Sequence, residues 1–316
     1  MRLATFNVEN LGEGPGLAAR IAVLRPQFLR LDADILCLQE VDAARPVKSR
    51  PRMLAALDRL IAETPYADYA RAVTHSTHPE SGPMDVHNLV VLSRFPIRDV
   101  RQIWHETVPP LEAHLGPEGA ALALKWDRPL LAVTIDWKGA ALHVVNLHLR
   151  AALAAFVGGG KTGPFSWGDI DRWADGYFAA AVKRVGQALE TRRYVSGLLK
   201  SDPGALIAVA GDFNAEANEM PVRLMLAAED DTGAGALDPQ SLIALARAAP
   251  EANRVSVRHH GRPQLDHILV SRGRYARFQG VEIHNEALGD EAAVMGRVES
   301  PAGSYHAPVL ASFSEP

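Results

Sequence analysis

At 316 residues, of which 47% are hydrophobic, the chain is long enough to bury a sizeable core. Its net charge of −4 and pI near 6.3 exclude a strong global attraction to nucleic acid or anionic membranes, although both values are compatible with a local basic groove. A single cysteine, Cys37, excludes an intrachain disulfide, and no apolar run reaches transmembrane length, so we expect a cytoplasmic protein.

Apolar runs and their spacing predict many strands and few helices. The predicted strands are residues 3–9, 33–40, 66–73, 88–92, 97–107, 121–126, 130–137, 141–149, 206–214, 264–271 and 308–313, and those from 121 to 149 are expected to form a meander. The predicted helices are residues 17–31, where Pro26 favours a kink or a break, 52–62, 170–199 and 221–228. This pattern indicates an α/β (α+β) fold of mixed sheets packed on each other with helices outside. No linker or repeat interrupts it, so we expect a single domain over residues 1–316.

Polar side chains follow the ends of four apolar strands. Because alternate residues of a strand point to the same side, each pair separated by one residue projects together. A carboxylate beside a buried strand is costly unless it is used, and ligands of open α/β sheets bind outside the carboxyl ends of the strands. We therefore expect one convergent site formed by Asn7 and Glu9, Gln39 and Glu40, Asn146 and His148, and Asp212 and Asn214.

The segment at residues 150–169 lacks a predicted element. Its Gly158 to Lys161 run does not have the spacing of a phosphate-binding loop and follows no strand directly. Because the segment begins straight after His148, we expect a flap insertion beside the site, with Lys161, Phe165 and Trp167 available to contact substrate.

Two further sets of residues have less specific interpretations. Three arginines of the 170–199 helix, Arg184, Arg192 and Arg193, are expected on a solvated face. Five histidines lack the compact spacing of a zinc site and are expected in surface loops. They are His75, His78, His87, His259 and His260. Of these, His87 is the strongest candidate for another role, because it directly precedes a strand.

The ordered motifs of the chain resemble those of the endonuclease/exonuclease/phosphatase superfamily, which includes deoxyribonuclease I, abasic-site endonucleases, inositol polyphosphate 5-phosphatases and neutral sphingomyelinases. The motifs are TFNVEN at 5–10, LQEV at 38–41, LSRFP at 92–96, NLHL at 146–149, GDFN at 211–214, LDHI at 265–268 and HAPV at 306–309. The resemblance implies a four-layer α/β/β/α sandwich, in which two mixed sheets pack face to face, and a divalent-metal site at one edge.

The resemblance also implies a role for each residue of the site. Mg²⁺, or alternatively Mn²⁺, would be held by Glu40, with Glu9 as a second or outer ligand and Asn7 assisting the metal or a phosphate oxygen. Asp212 would act as the general base for the attacking water, and Asn214 would hold Asp212 or donate to a phosphoryl oxygen.

The histidines and remaining polar residues would serve the phosphoryl group. His306 would bind it as an imidazolium oriented by Asp266, and His148 would be a second donor or an acid near the leaving group. Asn146 would contact the same group.

One position departs from the family pattern. The family usually has Ser-Asp-His before the last strand, whereas this chain has Ser304, Tyr305 and His306. A phenol with a pKa of about 10 does not replace the carboxylate near neutral pH. We expect altered or weaker metal binding with activity retained, and Tyr305 could instead grip a phosphate.

Three functions follow as hypotheses. The first is a metal-dependent hydrolase acting on a small-molecule or lipid-headgroup phosphoester, which the mildly acidic charge favours. The second is an endonuclease or exonuclease acting on DNA or RNA, which would require exposed cations such as Arg94, Arg150, Lys161 and Arg172 to line a groove. The third is a catalytically silent module that binds phosphorylated ligands or proteins. In each case we expect a monomer.

Overall fold

Two six-stranded mixed β-sheets pack face to face in the computed structural model, which describes residues 1–47, 49–115, 119–163, 166–258, 263–286, 288 and 303–316. The strands are β1 (Arg2–Leu11), β2 (Ile35–Val41), β3 (Ala70–Val73), β4 (Asn88–Ser93), β5 (Ile97–Ile103), β6 (Leu111–Ala113), β7 (Leu122–Leu124), β8 (Leu130–Trp137), β9 (Ala140–His148), β10 (Leu206–Asp212), β11 (Leu242–Ala244), β12 (Asp266–Ser271), β13 (Phe278–Ile283) and β14 (Val309–Phe313). The α-helices are α1 (Leu17–Leu31), α2 (Ala55–Ile61), α3 (Ile170–Ser201), α4 (Met220–Leu226), α5 (Glu229–Thr232) and α6 (Arg272–Tyr275).

The order of strands places two parallel pairs at the centre of the molecule. The first sheet runs β13-β14-β1-β2-β4-β3 and the second runs β11-β12-β10-β9-β8-β5. Within them β1 is parallel to β2 and β10 is parallel to β9, whereas the strands on either side of each pair are antiparallel. The carboxyl ends of the four central strands therefore lie beside the starts of their antiparallel neighbours.

Three hydrophobic layers hold the sheets and helices together. In β2, Leu36 and Leu38 belong to the core that the first sheet forms with α1 and α2, whereas Cys37 points the other way into the core between the sheets. In β9, Val144 belongs to the same inter-sheet core and Val145 to the core under α3 and α4. These strands are apolar on both faces because both faces are covered, and the predicted four-layer α/β/β/α sandwich is confirmed.

The predicted meander is wrong in one strand. β7 pairs with β6 in a separate two-stranded sheet, and the position beside β8 is taken by β5. The cause lies in the link between β7 and β8, where Trp126 is buried and its indole donates to Glu190 of α3 at 2.8 Å. This contact ties the link to the helix and draws β7 away from the second sheet.

Smaller differences follow from local chemistry. The predicted strand 66–73 begins as a 3₁₀ turn, Pro65–Asp68, because Pro65 suits a helix start and Thr64 caps it by accepting from the amide of Tyr66. α1 continues unbroken through Pro26, which lies on its exposed side. The edge strands β11 and β13 had no counterpart among the predicted strands.

Two of the three α3 arginines contradict the predicted solvated face. Arg184 and Arg192 are buried, and their guanidinium groups donate to backbone carbonyls, Arg184 to Asn214 and Arg192 to Met225, each at 3.1 Å. The aliphatic part of an arginine side chain packs as an apolar group, so a charged residue in a helix does not by itself identify the solvent-exposed face. Arg193 is exposed as expected.

The 150–169 segment is held against α3. Its described residues contain no helix or strand beyond a bridge between Lys161 and Trp167, and Phe165 lies outside the described residues. Ala155 donates its amide to the carbonyl of Gly176 at 2.8 Å and packs with Val157 against the first turns of α3. Contact between this segment and substrate stays a prediction. Among the described helices, none has the length and hydropathy that a membrane span requires.

Candidate active site

One amide joins the two sheets at the edge where the parallel strands end. Asn7 of β1 donates through Nδ2 to Glu40 Oε1 of β2 and to Asp212 Oδ2 of β10, both at 3.0 Å. Asn7 is fully buried, and its own Oδ1 accepts from the amide of Glu9 at 2.9 Å. The predicted convergence of strand ends from separate sheets is therefore present in the fold.

Asp212 is held by the backbone that follows it. The amide of Asn214 donates to Asp212 Oδ1 at 2.8 Å, and the Asn214 side chain donates to the carbonyl of Leu149 at 3.0 Å and to Asp212 Oδ2 at 3.4 Å. Of the two roles expected for Asn214, the geometry supports the one in which it holds Asp212. Gly211, directly before Asp212, lets β10 lie close to β9, because a Cβ there would lie 1.9 Å from the carbonyl oxygen of Leu147.

His306 and Asp266 form a paired unit beside Asp212. Nδ1 of His306 lies 2.9 Å from Asp266 Oδ2, and its Nε2 lies 3.9 Å from Asp212 Oδ2. Burial alone would lower the pKa of His306, but the carboxylate of Asp266, followed by those of Asp212 and Glu40, raises that pKa to about 10. This shift favours the imidazolium form of His306 at neutral pH, and its binding of a phosphoryl group stays a prediction.

The pKa values of His148 and Asp212, the two other ionisable groups considered at the centre of the site, shift in opposite directions. Burial lowers the pKa of His148 well below its usual value, and the nearby Arg128 adds to the effect, so the ring is neutral at pH 7. Burial raises the pKa of Asp212 to about 7, with His306 acting in the opposite direction and Asp266 adding to the rise. A carboxylate with this pKa can take up a proton in the neutral range.

Two basic residues of the site were not predicted to belong to it. Arg128 precedes β8, interacts electrostatically with Glu40 and Asp212, and has a buried Nη1 with no hydrogen-bond partner in the described part of the chain. His87 precedes β4, and its Nδ1 lies 3.7 Å from Glu40 Oε2. His87 lies in a loop as expected, with 34% of its side chain exposed, but its ring also faces the site.

The strand pairing explains why both residues reach the site. β4 is antiparallel to β2 and β8 is antiparallel to β9, so the residues just before β4 and β8 lie at the carboxyl ends of their partners. Asp266, at the start of β12, reaches the site in the same way beside Asp212. Once the pairing is known, starts of antiparallel strands are as informative as ends of parallel ones.

Non-glycine residues with left-handed backbone cluster at this edge. They are Glu9, Asn10, Glu40, His87 and Asn214, with φ between 46° and 60°. This conformation is uncommon for side chains other than glycine and persists where the surroundings impose it, as at functional sites. The backbone thus turns these side chains toward one another at a local cost in energy.

One predicted residue, Asn146, lies differently from its expected role, and two others, Glu9 and Tyr305, contact each other. Asn146 is fully buried between the sheets, where it donates to the carbonyls of Leu38 and Val90 and accepts from Gln39, so its predicted phosphate contact is corrected to an inter-sheet bridge. Its amide is fully used there, which leaves no donor for a ligand. Glu9 accepts from the amide of Tyr305 at 2.8 Å, and this contact ties the departure from the family pattern to the end of β1.

Acidic and imidazole groups of the described residues form two clusters that could hold a cation. Glu40, His148 and Asp212 form one, and Asp212, Asp266 and His306 form the other, with ligand atoms in each within 4.8 Å of one another. Glu9 belongs to neither. The first cluster fits a divalent ion better, because His306 Nδ1 and Asp266 Oδ2 of the second are already engaged with each other at 2.9 Å.

The chain matches a known protein family over nearly its whole length. The family model described as Endonuclease/Exonuclease/phosphatase family matches residues 4–306. No curated protein matches the chain. The solved structures similar to it include a 3′ phosphatase, NExo, from Neisseria bound to a product DNA hairpin, with 17% identity, a TM-score of 0.54 and 99% of each chain covered.

Two further solved structures have the same fold. A mannosyl-6-phosphatase of Bacteroides thetaiotaomicron is 15% identical, with a TM-score of 0.59 and 99% of each chain covered. A truncated TDP2 of Caenorhabditis elegans is also 15% identical, with a TM-score of 0.55 and coverage of 99% of this chain and 96% of that chain.

Gly211→Ala tests the support of Asp212. We expect it to lower the free energy of unfolding by at least about 2 kcal/mol in urea denaturation, because a methyl group there meets the backbone of β9. The matched control is Gly197→Ala in α3, where nothing lies within 4 Å of the added carbon. The control should be neutral or stabilising by up to about 1 kcal/mol. Equal effects of the two changes would contradict the packing described.

An imidazole NMR titration of the metal-free protein tests the two histidines. We expect His306 to stay protonated through the neutral range and His148 to be neutral there. Asp266→Asn should lower the pKa of His306 by at least about 1 because it removes the paired carboxylate. A His306 that loses its proton before His148 would refute the assignment.

Proposed function

Because the chain belongs to the Endonuclease/Exonuclease/phosphatase family, we propose that it hydrolyses a small-molecule or lipid-headgroup phosphoester with a water activated by Asp212. The family consists of divalent-metal-dependent hydrolases of phosphoester bonds. A divalent ion held by Glu40 would neutralise charge on the phosphoryl oxygens, and Mg²⁺ and Mn²⁺ are the ions we propose.

The position of Asp212 is the observation that carries the proposal. Its carboxylate is almost fully buried, is oriented by amides from Asn7 and Asn214, and has a pKa raised by burial to about 7. A base is most effective when its pKa lies near the working pH. Asp212 is thus suited to orient a water molecule and accept its proton.

Positively charged hydrogen-bond donors lie around the place where a phosphoryl group would bind. His306 is an imidazolium whose Nε2 lies 3.5 Å from the Asn7 amide, and Asp266 keeps its ring oriented. The buried Nη1 of Arg128 has no hydrogen-bond partner in the described part of the chain. Fixed donors of this kind stabilise charge that develops on phosphoryl oxygens during transfer.

The Tyr305 substitution leaves the proposed catalytic set intact. Tyr305 donates its amide to Glu9, and the neighbouring Ser304 hydroxyl donates to the carbonyl of Asn7 at 2.7 Å. His306 keeps both its partner Asp266 and its distance to Asp212. These contacts support an active hydrolase over the silent binding module.

The cations predicted to line a nucleic acid groove are engaged with carboxylates, which favours a small substrate over a nucleic acid backbone. Arg94 follows β4 at the end of the sheet opposite to the site and pairs with Asp34 at 2.8 Å, whereas Arg150 pairs with Asp127 at 3.2 Å and Arg172 with Asp175 at 3.4 Å. Lys161 lies over the ring of Trp167, 5.4 Å from its centroid. A groove that binds a nucleic acid backbone needs cations that are available to pair with its phosphates. In this chain neighbouring carboxylates compete with such phosphates for the three arginines.

Asp212→Asn tests the base. We expect kcat to fall by roughly 10²- to 10⁴-fold, because the amide keeps the shape but accepts no proton. The matched control, Asp99→Asn on the exposed side of β5, should leave kcat unchanged. The folded protein raises the pKa of Asp212 from its usual 3.8 to about 7, so its ionisation costs stability as pH rises between these two values. The metal-free variant should therefore melt higher than wild type at pH 8, with a smaller difference at pH 5. An active Asp212→Asn protein would rule out the base role.

A substrate panel tests the substrate class. We expect hydrolysis of a chromogenic phosphomonoester or bis-phosphodiester, or of a headgroup diester in vesicles, with Mg²⁺ or Mn²⁺, and none with EDTA. Supercoiled plasmid at physiological salt should remain intact. Rapid nicking together with poor turnover of the small esters would establish the nuclease alternative instead.

A further inference from the structure

Two arginine side chains beside His148 have buried nitrogens without a hydrogen-bond partner among the residues that the structure describes. They are Nη1 of Arg128 and Nε of Arg150. Both residues are half-buried, so their guanidinium groups lie at the edge of the site and not in the hydrophobic core. Both charges also act on the His148 ring, and that of Arg128 acts more strongly. A buried donor without an acceptor costs free energy, so we expect a ligand that accepts from it.

Strand pairing places Arg128 at the end of β9. β8 is antiparallel to β9 with Leu131 opposite Asn146, so Arg128 lies beside the residues that follow Asn146. The carbonyl of Arg128 accepts from Nε2 of Gln187 at 3.2 Å, and Oε1 of Gln187 accepts from the amide of Arg150 at 3.0 Å. One side-chain amide of α3 thus holds the backbone of both arginines next to the site.

The carboxylate next to Arg128 in the chain is engaged with other cations. Asp127 pairs through Oδ1 with Lys183 Nζ at 2.8 Å and through Oδ2 with Arg150 Nη1 at 3.2 Å. The two carboxylates at the centre of the site attract Arg128 electrostatically, which keeps its side chain directed toward that centre. The positive charge of Arg128 therefore stays available to an anion that enters the site.

We propose that Arg128 binds the non-bridging oxygens of the phosphoryl group and thereby makes the enzyme prefer phosphomonoesters to phosphodiesters. The inference rests on the proposed function and deepens it, because it selects one of two substrate classes for the same site. A phosphomonoester has a second pKa of about 6 and carries close to two negative charges at neutral pH, whereas a phosphodiester carries one. A diester also has one terminal oxygen fewer for the planar guanidinium, which binds two oxygens at once.

A matched pair of substrates tests the inference. p-Nitrophenyl phosphate and its methyl ester release the same leaving group and differ by one charge, and with Mg²⁺ or Mn²⁺ we expect wild type to have the higher kcat/KM on the monoester. Arg128→Gln should lower kcat/KM by roughly 10- to 100-fold for the monoester and by less than about threefold for the methyl ester. Arg128→Lys, which keeps the charge but not the planar fork, should have an intermediate ratio. The ratio within one preparation does not depend on the fraction of folded protein.

Calorimetric titration with inorganic phosphate, the product of monoester hydrolysis, tests the same contact without turnover. In the presence of Mg²⁺, Arg128→Gln should raise the Kd of phosphate by at least about tenfold. The matched control is Arg98→Gln, because Arg98 pairs with Asp136 at 2.6 Å near the end of β8, whereas Arg128 precedes the start of that strand. This control should retain the wild-type ratio of the two esters and the wild-type Kd.

Three results would overturn the inference: an equal loss of both esters in Arg128→Gln, an unchanged Kd of phosphate in that variant, or a wild type that prefers the methyl ester. With any of them, metal-dependent turnover that is lost in Asp212→Asn would still uphold the proposed function. Absence of turnover of both esters with either metal would contradict the proposed function, and the phosphate titrations would still decide whether Arg128 binds the phosphoryl group.

Discussion

The hydrogen bonds of Asn7 are the constraint on which the site depends. One side-chain amide binds a carboxylate of its own sheet, Glu40, and a carboxylate of the other sheet, Asp212. Two buried anions from separate sheets repel each other unless a donor or a cation lies between them. Asn7 supplies the donor, and the imidazolium of His306 adds positive charge on the side of Asp212. The fold thus stabilises an anionic cluster that a divalent ion and a phosphoryl group can use.

The inter-sheet core brings these groups into register. Asn146 ties β9 to both β2 and β4 through backbone carbonyls, and the parallel pairing of β9 with β10 places His148 directly beside Asp212. The hydrogen bonds of this bridge use the whole side-chain amide of Asn146. The site is more rigid there, but Asn146 has no donor left to bind a ligand. Gly211 lets β10 approach β9 closely enough for the same alignment. Packing and chemistry are therefore coupled through a few residues at the strand ends.

Much of this site follows from sequence alone, and the failures have physical causes. Apolar strands that end in Asp212 or Glu40 revealed the edge of the sheets, because buried strands with polar ends are a strong local pattern. His87 and Arg128 precede their strands, so their membership depends on antiparallel pairing, which is a long-range property. Arg184 was misplaced because a charged side chain can bury its stem and donate to a carbonyl. The sequence pattern likewise does not distinguish a polar residue that binds ligand from one that bridges two sheets.

An anomalous-difference map from crystals soaked with Mn²⁺ tests most directly whether these strand ends form one cation site. We expect a single strong peak at coordination distance, about 2.2 Å, from the Glu40 carboxylate and bordered by Asp212, with the Asn7 amide still between the two acids. A peak at some other surface, or Glu40 and Asp212 separated too far to share Asn7, would contradict this expectation.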